Sequence, residues 1–348
     1  MAVTIYDIAQ KTGYSAATIS KALNNRSDIS EATRLRIVTA ARAMGYVPNQ
    51  GAKGLVTKKN WLIGVIYEEL DQNLGIEHPL FGGIMNAFKQ TIEKEGYELI
   101  FLATNLGQRK MTYLQHCRYR GVDGVLILNN DVHSAEVLEV ARSDIPSVSA
   151  NLIYDETTSV TSENVLSSME AVCYLHRLGH TRIAHIAGPL LERASAGIER
   201  LEGYRRGLKL CGIPYREDLV VVSNLWTEVC GFRALRQLMD GTERPTALFS
   251  ASDIFSVGVY RAAWNMGLEI PRDLSIVSFD DNEVAGYLRP TLTTWRQNRR
   301  EIGTVAGNLV LRKIAGQPTE KRILIPVEFM ERESSQSLVA WNSMSSIQ

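Results

Sequence analysis

The chain has 348 residues, 45% hydrophobic and 22% charged, which excludes a disordered or collagen-like chain and leaves room for two or three domains. Thirty-eight basic and 38 acidic residues cancel overall, yet residues 1–60 hold nine Lys/Arg against three acids, a +6 head on a −6 remainder. A small basic head on an acidic body is the charge signature of a nucleic-acid module joined to something else. Cys117, Cys173, Cys211 and Cys230 lie far apart with no C-x-x-C. That excludes a disulfide framework and a zinc ribbon, and the four read as small buried hydrophobes in a reducing cytosol. No run of 18 apolar residues occurs and the N-terminus is polar and amphipathic, so neither a membrane helix nor a signal peptide is expected.

Three short helices are predicted in the first 45 residues. Thr4 caps the first, Ile5–Gln10, with Asp7 placed for a capping box. Gly13 supplies the tight turn of a helix-turn-helix. Ser15 caps the second, Ala16–Leu23, and Ser30 caps a third that runs to Met44 and stops at Gly45. Ala9, Gly13 and Ile19 fall where two helices must pack closely. The second helix exposes Ala16, Ala17, Ser20 and Lys21, short residues and one long cation, which suits a helix whose N-terminal residues meet base edges in the major groove.

Residues 3–49, VTIYDIAQKTGYSAATISKALNNRSDISEATRLRIVTAARAMGYVPN, closely resemble the DNA-binding domain of the LacI/GalR family of bacterial transcription regulators. The resemblance continues through LGHTRIAHIAGP (178–189), RLEGYRRGL (200–208), PTALFSASD (245–253), IPRDLSIVSFDD (270–281) and RPTLTTWRQ (289–297), and reaches about Glu333. It implies a homodimeric, cytoplasmic, nucleoid-associated regulator, most often a repressor, on a palindromic operator. In the head it implies DNA contacts from Thr4, Tyr6, Ser15, Ala16, Ala17, Thr18, Ser20, Lys21 and Asn24.

The linker 48–60 resembles the family's hinge, which implies contacts from Asn49, Ala52, Lys53 and Leu55, with Leu55 as the wedge pushed into the central base step of the operator. Gly51 and Gly54 each cost about 1 kcal/mol against Ala in a helix, so this segment is expected to fold only on DNA. Lys53, Lys58 and Lys59 suit phosphate contacts.

From Trp61 apolar runs alternate with helical stretches. The runs 62–67, 97–103, 122–128, 182–187, 246–251 and 274–279 read as buried parallel strands, with a further short strand near Ser147–Ala150. Helices are predicted over Pro79–Glu95, Val165–Leu178, Ala196–Cys211, Glu228–Met239 and Asp253–Met266. This is βαβ architecture, and about 270 residues exceed one comfortable sheet. The expected fold is therefore a small all-α helix-turn-helix head (1–47) plus an α/β body (61–333) of two doubly wound parallel-sheet lobes. The resemblance makes that body periplasmic-binding-protein-like, with crossings near 158–162, 290–294 and 319–322. It implies a first lobe of 61–160 plus 293–320 and a second of 161–292 plus 321–333, followed by a tail, 334–348, that has no heptad repeat for a tetramerisation helix.

Ligands of such sheets bind beyond the carboxyl ends of the strands. Asn151, Ser252 and Asp280 stand there, Arg200 opens a helical turn and Trp226 precedes a helix. Together they offer hydroxyl acceptors, a forked donor and an aromatic face, the needs of a polyhydroxyl ligand. The resemblance supports Asn151, Arg200, Trp226 and Asp280 as effector contacts. The family often has Asn where Ser252 stands, and the segment 68–81 is longer and more acidic than usual, with His78 and Phe81 rebuilding the pocket lip. No Walker A loop, G-x-S-x-G or H-E-x-x-H occurs, and no metal or cofactor is expected.

Two other readings stand beside an effector-controlled repressor. RPTLTTWRQNRREIG (289–303) faintly resembles the signature of relatives that sense a phosphorylated carrier protein, with Arg289, Arg296, Arg299 and Arg300 for the phosphate. The other is a sugar-binding enzyme with a regulatory head.

Overall fold

The computed structural model describes residues 3–47, 59–68, 74–129, 134–192, 194–241 and 243–338. The chain forms two compact units, one up to Asn60 and one from Trp61.

In the head, α1 (Ile5–Thr12) starts at a Thr4 capping box and ends at Gly13, whose φ of 75° is left-handed. Ser15 caps α2 (Ala16–Leu23) and Ser30 caps α3 (Glu31–Ala43). Ile8, Ile19, Ala22, Ile37 and Ala41 form the core between them.

The body begins with β1 (Leu62–Glu68), α4 (Pro79–Lys94), β2 (Glu98–Phe101), a short hairpin β3 (Asn105–Leu106) and β4 (Arg109–Lys110), α5 (Tyr113–Arg120), β5 (Gly124–Asn129), α6 (Ala135–Ala141), β6 (Ser147–Ala150) and β7 (Thr158–Ser162). The second lobe follows as α7 (Asn164–Arg177), β8 (Ile183–Ala187), α8 (Ser195–Leu210), β9 (Val220–Val222), α9 (Glu228–Asp240), β10 (Ala247–Ser250), α10 (Asp253–Met266), β11 (Ser275–Asp280), α11 (Val284–Tyr287) and β12 (Thr293–Arg296). The chain returns to the first lobe for α12 (Arg299–Ile314) and β13 (Arg322–Ile325), then leaves it again for β14 (Glu328–Met330).

One sheet runs β13-β7-β6-β5-β1-β2, all parallel. The other runs β14-β12-β11-β10-β8-β9, parallel except for the β14 edge. Both faces of each sheet are covered, as the continuous apolar runs require. In β5, Leu126 and Leu128 face α4 and α12, while Val125 and Ile127 face α5 and α6. In the second sheet, Ile186, Leu248 and Ile276 pack towards α9 and α10, and Phe249, Val277 and Phe279 towards α7 and α8.

Three boundaries differ from the expected lobe limits. β12 (Thr293–Arg296) pairs in parallel with β11, so 293–296 belongs to the second lobe rather than the first. β13 pairs with β7, so 322–325 belongs to the first lobe rather than the second. The first crossing follows Ser162, at the edge of the expected 158–162, while the others follow Arg296 and Ile325, a few residues later than expected, because each strand completes its ladder before the chain changes lobe. The body also continues past Glu333. Ser334 is buried, its backbone C=O accepts from the Ile276 N–H at 2.7 Å, and the Leu338 N–H donates to Leu178 O at 2.8 Å. The rest of the tail, 339–348, lies outside the described residues.

His185 is sandwiched between Tyr204 and Phe249, with ring centroids 4.8 Å away on both sides, and its Nδ1 bonds Phe249 O at 2.8 Å. Burial pushes its pKa down to about 3, so the imidazole is neutral in the folded body. The unfolded chain takes up this proton near pH 6.5 and the folded chain does not. The contribution of His185 to stability is therefore full above pH 6.5 and falls by about 1.4 kcal/mol per pH unit below it. Ring-proton NMR is expected to show no His185 titration between pH 8 and 5. A midpoint near 6.5 contradicts the buried neutral assignment.

Candidate functional site

In the head, the outer face of α2 is short and polar. Ile19 and Ala22 point into the core, while Ala17, Lys21 and Asn24 are exposed and Ala16, Thr18 and Ser20 half-buried. Ser15 Oγ accepts from the Thr18 N–H at 3.2 Å and so caps the N-terminal turn. Asn24 Nδ2 donates to Ser20 O at 2.9 Å. Lys21 Nζ pairs with Asp28 at 2.6 Å, both side chains about half exposed. Thr4 is committed to its capping box, where its Oγ1 and N–H both donate to Asp7, at 2.8 and 2.7 Å. Tyr6 projects from α1 and is 70% exposed. Asn49, Ala52, Lys53 and Leu55, with the expected hinge helix, lie outside the described residues.

In the body, four of the seven expected effector residues come together in the second lobe. Arg200 is 2% exposed on α8 and lies over the Phe279 ring, its guanidinium carbon 3.7 Å from the centroid. Its Nε donates to Asn164 Oδ1 at 3.0 Å, and one Nη donates to Ala251 O at 2.6 Å and to Asp280 Oδ1 at 3.3 Å. Asp280, at the carboxyl end of β11, also accepts from Ser252 Oγ and from Gln297 Nε2, the latter at 2.7 Å. Trp226 stacks on Phe255 with centroids 5.2 Å apart and lies 6.0 Å from the Arg200 guanidinium. Gly188, at the end of β8, makes room for the indole, since a Cβ there would stand 2.0 Å from a ring carbon.

Burial lowers the pKa of Arg200, and Asp280 opposes that. Asp253 is fully buried beside the cluster, where it accepts from Thr294 Oγ1 and the Asn282 N–H, both at 2.8 Å. Burial and the Asp280 charge push it up to about 8. The guanidinium and the Asp280 carboxylate thus cancel at the floor of the site, leaving hydrogen-bonding capacity without net charge.

Asn151 belongs to the first lobe, yet its C=O accepts from Ser195 Oγ at the start of α8 at 3.4 Å. Asn151, Asp280 and Asp281 all adopt positive φ, of 70°, 120° and 54°. Such backbone costs of order 1–3 kcal/mol per residue and concentrates at ligand sites. His78 and Phe81 form a separate group in the first lobe. Phe81 is 4% exposed, edge-on to Tyr67 at 5.7 Å, and the His78 ring rests on it at 4.6 Å. Phe81 is thus part of the lobe core.

Residues 4–49 match the family described as bacterial regulatory proteins of the lacI family, and residues 172–335 match the periplasmic binding protein-like domain. The HTH-type transcriptional repressor CytR of Escherichia coli (strain K12) is 34% identical over 319 residues, covering 91% of each chain. The chain belongs to the LacI family. Among solved structures, the lac repressor dimer bound to operator and the anti-inducer ONPF matches with a TM-score of 0.80 and 26% identity, over 97% of this chain and 100% of that one. The complex of the transcriptional regulator CelR with cellobiose matches at 0.68 and 28%, over 96% and 100%. This LacI-family chain is accordingly a DNA-binding transcriptional regulator, with a helix-turn-helix head and a periplasmic-binding-protein-like effector domain, and its relatives are regulators rather than enzymes.

Two residues at this candidate site of the LacI-family chain are not among the expected effector contacts. Gln297 is buried and has two roles: Nε2 holds Asp280, while Oε1 accepts from Ser162 Oγ at 2.7 Å. Ser162 ends β7 at the first crossing, and Gln297 follows β12 at the second. Asn164 holds Arg200 Nε and donates to Glu199, which in turn pairs with Arg322 of β13. Asn164 follows β7 and Gln297 follows β12, so the rule that found Asp280 reaches them only once those two strands are known. Asp281 is held away from this group by Arg296 at 2.7 Å and Arg332 at 2.6 Å. Of the four arginines considered for a phosphate, Arg296 is bound to Asp281 and Glu328, while Arg289 and Arg299 hold backbone carbonyls. Among the described residues no helix is long and apolar enough to cross a membrane.

Proposed function

We propose that the chain is a homodimeric, cytoplasmic repressor that binds a palindromic operator and releases it when a neutral polyhydroxyl compound of the sugar class occupies the site around Asp280. The Arg200–Asp280–Gln297 cluster carries this reading. It is a charge-neutral floor of donors and acceptors beside the Trp226 indole, which suits hydroxyl groups above and an apolar ring face at the side. Asn151 completes it from the other lobe, and His78, which rests on Phe81 in the first lobe, is assigned to the lip by the resemblance alone. The likeness to a repressor dimer on operator and to a cellobiose-bound regulator supports the same reading.

Gln297 supplies the coupling. Its carboxamide joins Asp280 in the pocket to Ser162 at a lobe crossing. A hydroxyl that binds Asp280 competes with this link, so occupancy changes the two crossings and with them the angle between lobes. In the head, Ala16, Ala17 and Lys21 read bases, with Thr4, Tyr6, Ser15, Thr18, Ser20 and Asn24 around them. Asn49, Ala52, Lys53 and Leu55 serve as linker contacts. Selection from random duplex DNA tests the dimeric reading. The expected product is an inverted repeat, since a two-fold dimer meets a two-fold site. Enrichment of a single asymmetric half-site overturns it.

A further inference from the structure

Cys173 lies on α7 and Cys211 is the C-terminal cap of α8, on the second lobe. Their sulfurs are 3.5 Å apart, with the Cys211 thiol donating to Cys173. Both are partly exposed. The helices approach closely because α8 presents Gly203 and Gly207 to α7, where a Cβ on Gly207 would stand 2.7 Å from Val172 Cβ. Cys117, by contrast, is fully buried, and Cys230 receives a hydrogen bond from Thr227 Oγ1 within its own helical turn.

We propose that Cys173 and Cys211 are a modification site, a thiol pair that a peroxide or a glutathione-type disulfide converts reversibly into an intramolecular disulfide. A gap of 3.5 Å leaves about 1.5 Å to close to a disulfide bond of about 2 Å. In a reducing compartment such bonds are transient and redox-sensing.

The chemistry balances with peroxide as the two-electron oxidant. The Cys173 sulfur, as thiolate, attacks one peroxide oxygen; the O–O bond breaks, hydroxide leaves and is protonated to water, and Cys173 becomes a sulfenic acid. The Cys211 sulfur loses its proton and attacks the sulfenic sulfur, and the S–O bond breaks with loss of a second water. Two thiols are oxidised to one disulfide and one peroxide is reduced to two waters. Burial and the neighbouring sulfur push Cys211 up to about 11, which keeps it the protonated, resolving partner. The bond clamps together the ends of α7 and α8 opposite those that carry Asn164 and Arg200.

The test treats the full chain with hydrogen peroxide, then maps tryptic peptides without reduction. The expected result is a linked pair of peptides 143–177 and 210–216, loss of two of the four free thiols, and full recovery with dithiothreitol. Cys117 is expected to stay reduced. Cys211→Ser, a near-isosteric change checked for folding by circular dichroism, is expected to trap Cys173 as a sulfenic acid that a dimedone-type probe labels, with little labelling in the wild type. Formation of sulfinic acid at Cys173 with no linked peptide overturns the proposal. So does equal consumption of Cys230, or crosslinking between chains instead of within one.

Discussion

Replacing Arg200 by Leu is expected to destabilise the body by about 3–5 kcal/mol, because it leaves the mostly buried Asp280 carboxylate without its cation. Loss of the bonds to Asn164 Oδ1 and Ala251 O adds to this, since both acceptors then lack their partner. The double variant Arg200→Met with Asp280→Leu removes both charges, and it is expected to recover a large part of the loss while abolishing effector binding. Urea unfolding followed by tryptophan fluorescence measures both. If Arg200→Leu costs under about 1 kcal/mol, on the scale of an exposed pair, the guanidinium is not the buried keystone of this site.

The second large effect belongs to Lys21. Lys21→Ala is expected to weaken operator binding by about 1–3 kcal/mol, roughly 5- to 150-fold, with relaxed base preference at one position of each half-site. In the free head Lys21 is paired with Asp28, so binding must exchange that carboxylate for a base edge or a phosphate. Asp28→Asn is therefore expected to tighten binding and to raise the slope of log affinity against log salt. Fluorescence anisotropy on the selected duplex across a salt series reads both. Unchanged affinity and unchanged base preference in Lys21→Ala remove Lys21 from the readout.

The head was legible because its signals are local. Thr4, Ser15 and Ser30 each cap a helix within three residues, and Gly13 takes the left-handed turn that it alone tolerates without cost. The apolar strands were legible as continuous runs between helical periods. β7 was not, because TSVTS looks polar, yet all five residues are buried. Its two threonine hydroxyls at Thr158 and Thr161 are satisfied by a segment more than 150 residues away: Thr158 Oγ1 donates to Glu320 O at 2.8 Å, and Thr161 Oγ1 accepts from Arg322 at 3.0 Å. β12, with TTWR, was missed for the same reason, and the lobe limits shifted with it. α12 went unassigned because its apolar face shows only against α4 and the first sheet.

The candidate site was partly legible for a related reason. Asp280, Ser252 and Asn151 stand at strand ends, a position that sequence exposes once the strands are known. Trp226 stands just before α9 and Arg200 in the second turn of α8, where the resemblance supported them. Gln297 escaped because its role depends on two crossings that meet only in the folded body. His78 and Phe81 stand beside an unusual loop, but an aromatic ring at helical spacing packs inward by default, and Phe81 does.

Thermal unfolding of the full chain against a panel of sugars, disaccharides, sugar acids and nucleobases, repeated with Asp280→Ala, tests whether Asp280 anchors a neutral polyhydroxyl ligand. A ligand that binds only the folded state adds about 2.7 kcal/mol at a hundredfold excess over its dissociation constant. At least one uncharged polyhydroxyl compound is expected to raise the unfolding temperature of the wild type and to leave Asp280→Ala unmoved. A shift of equal size in both proteins, or a response confined to charged compounds, contradicts a neutral polyhydroxyl site built on Asp280.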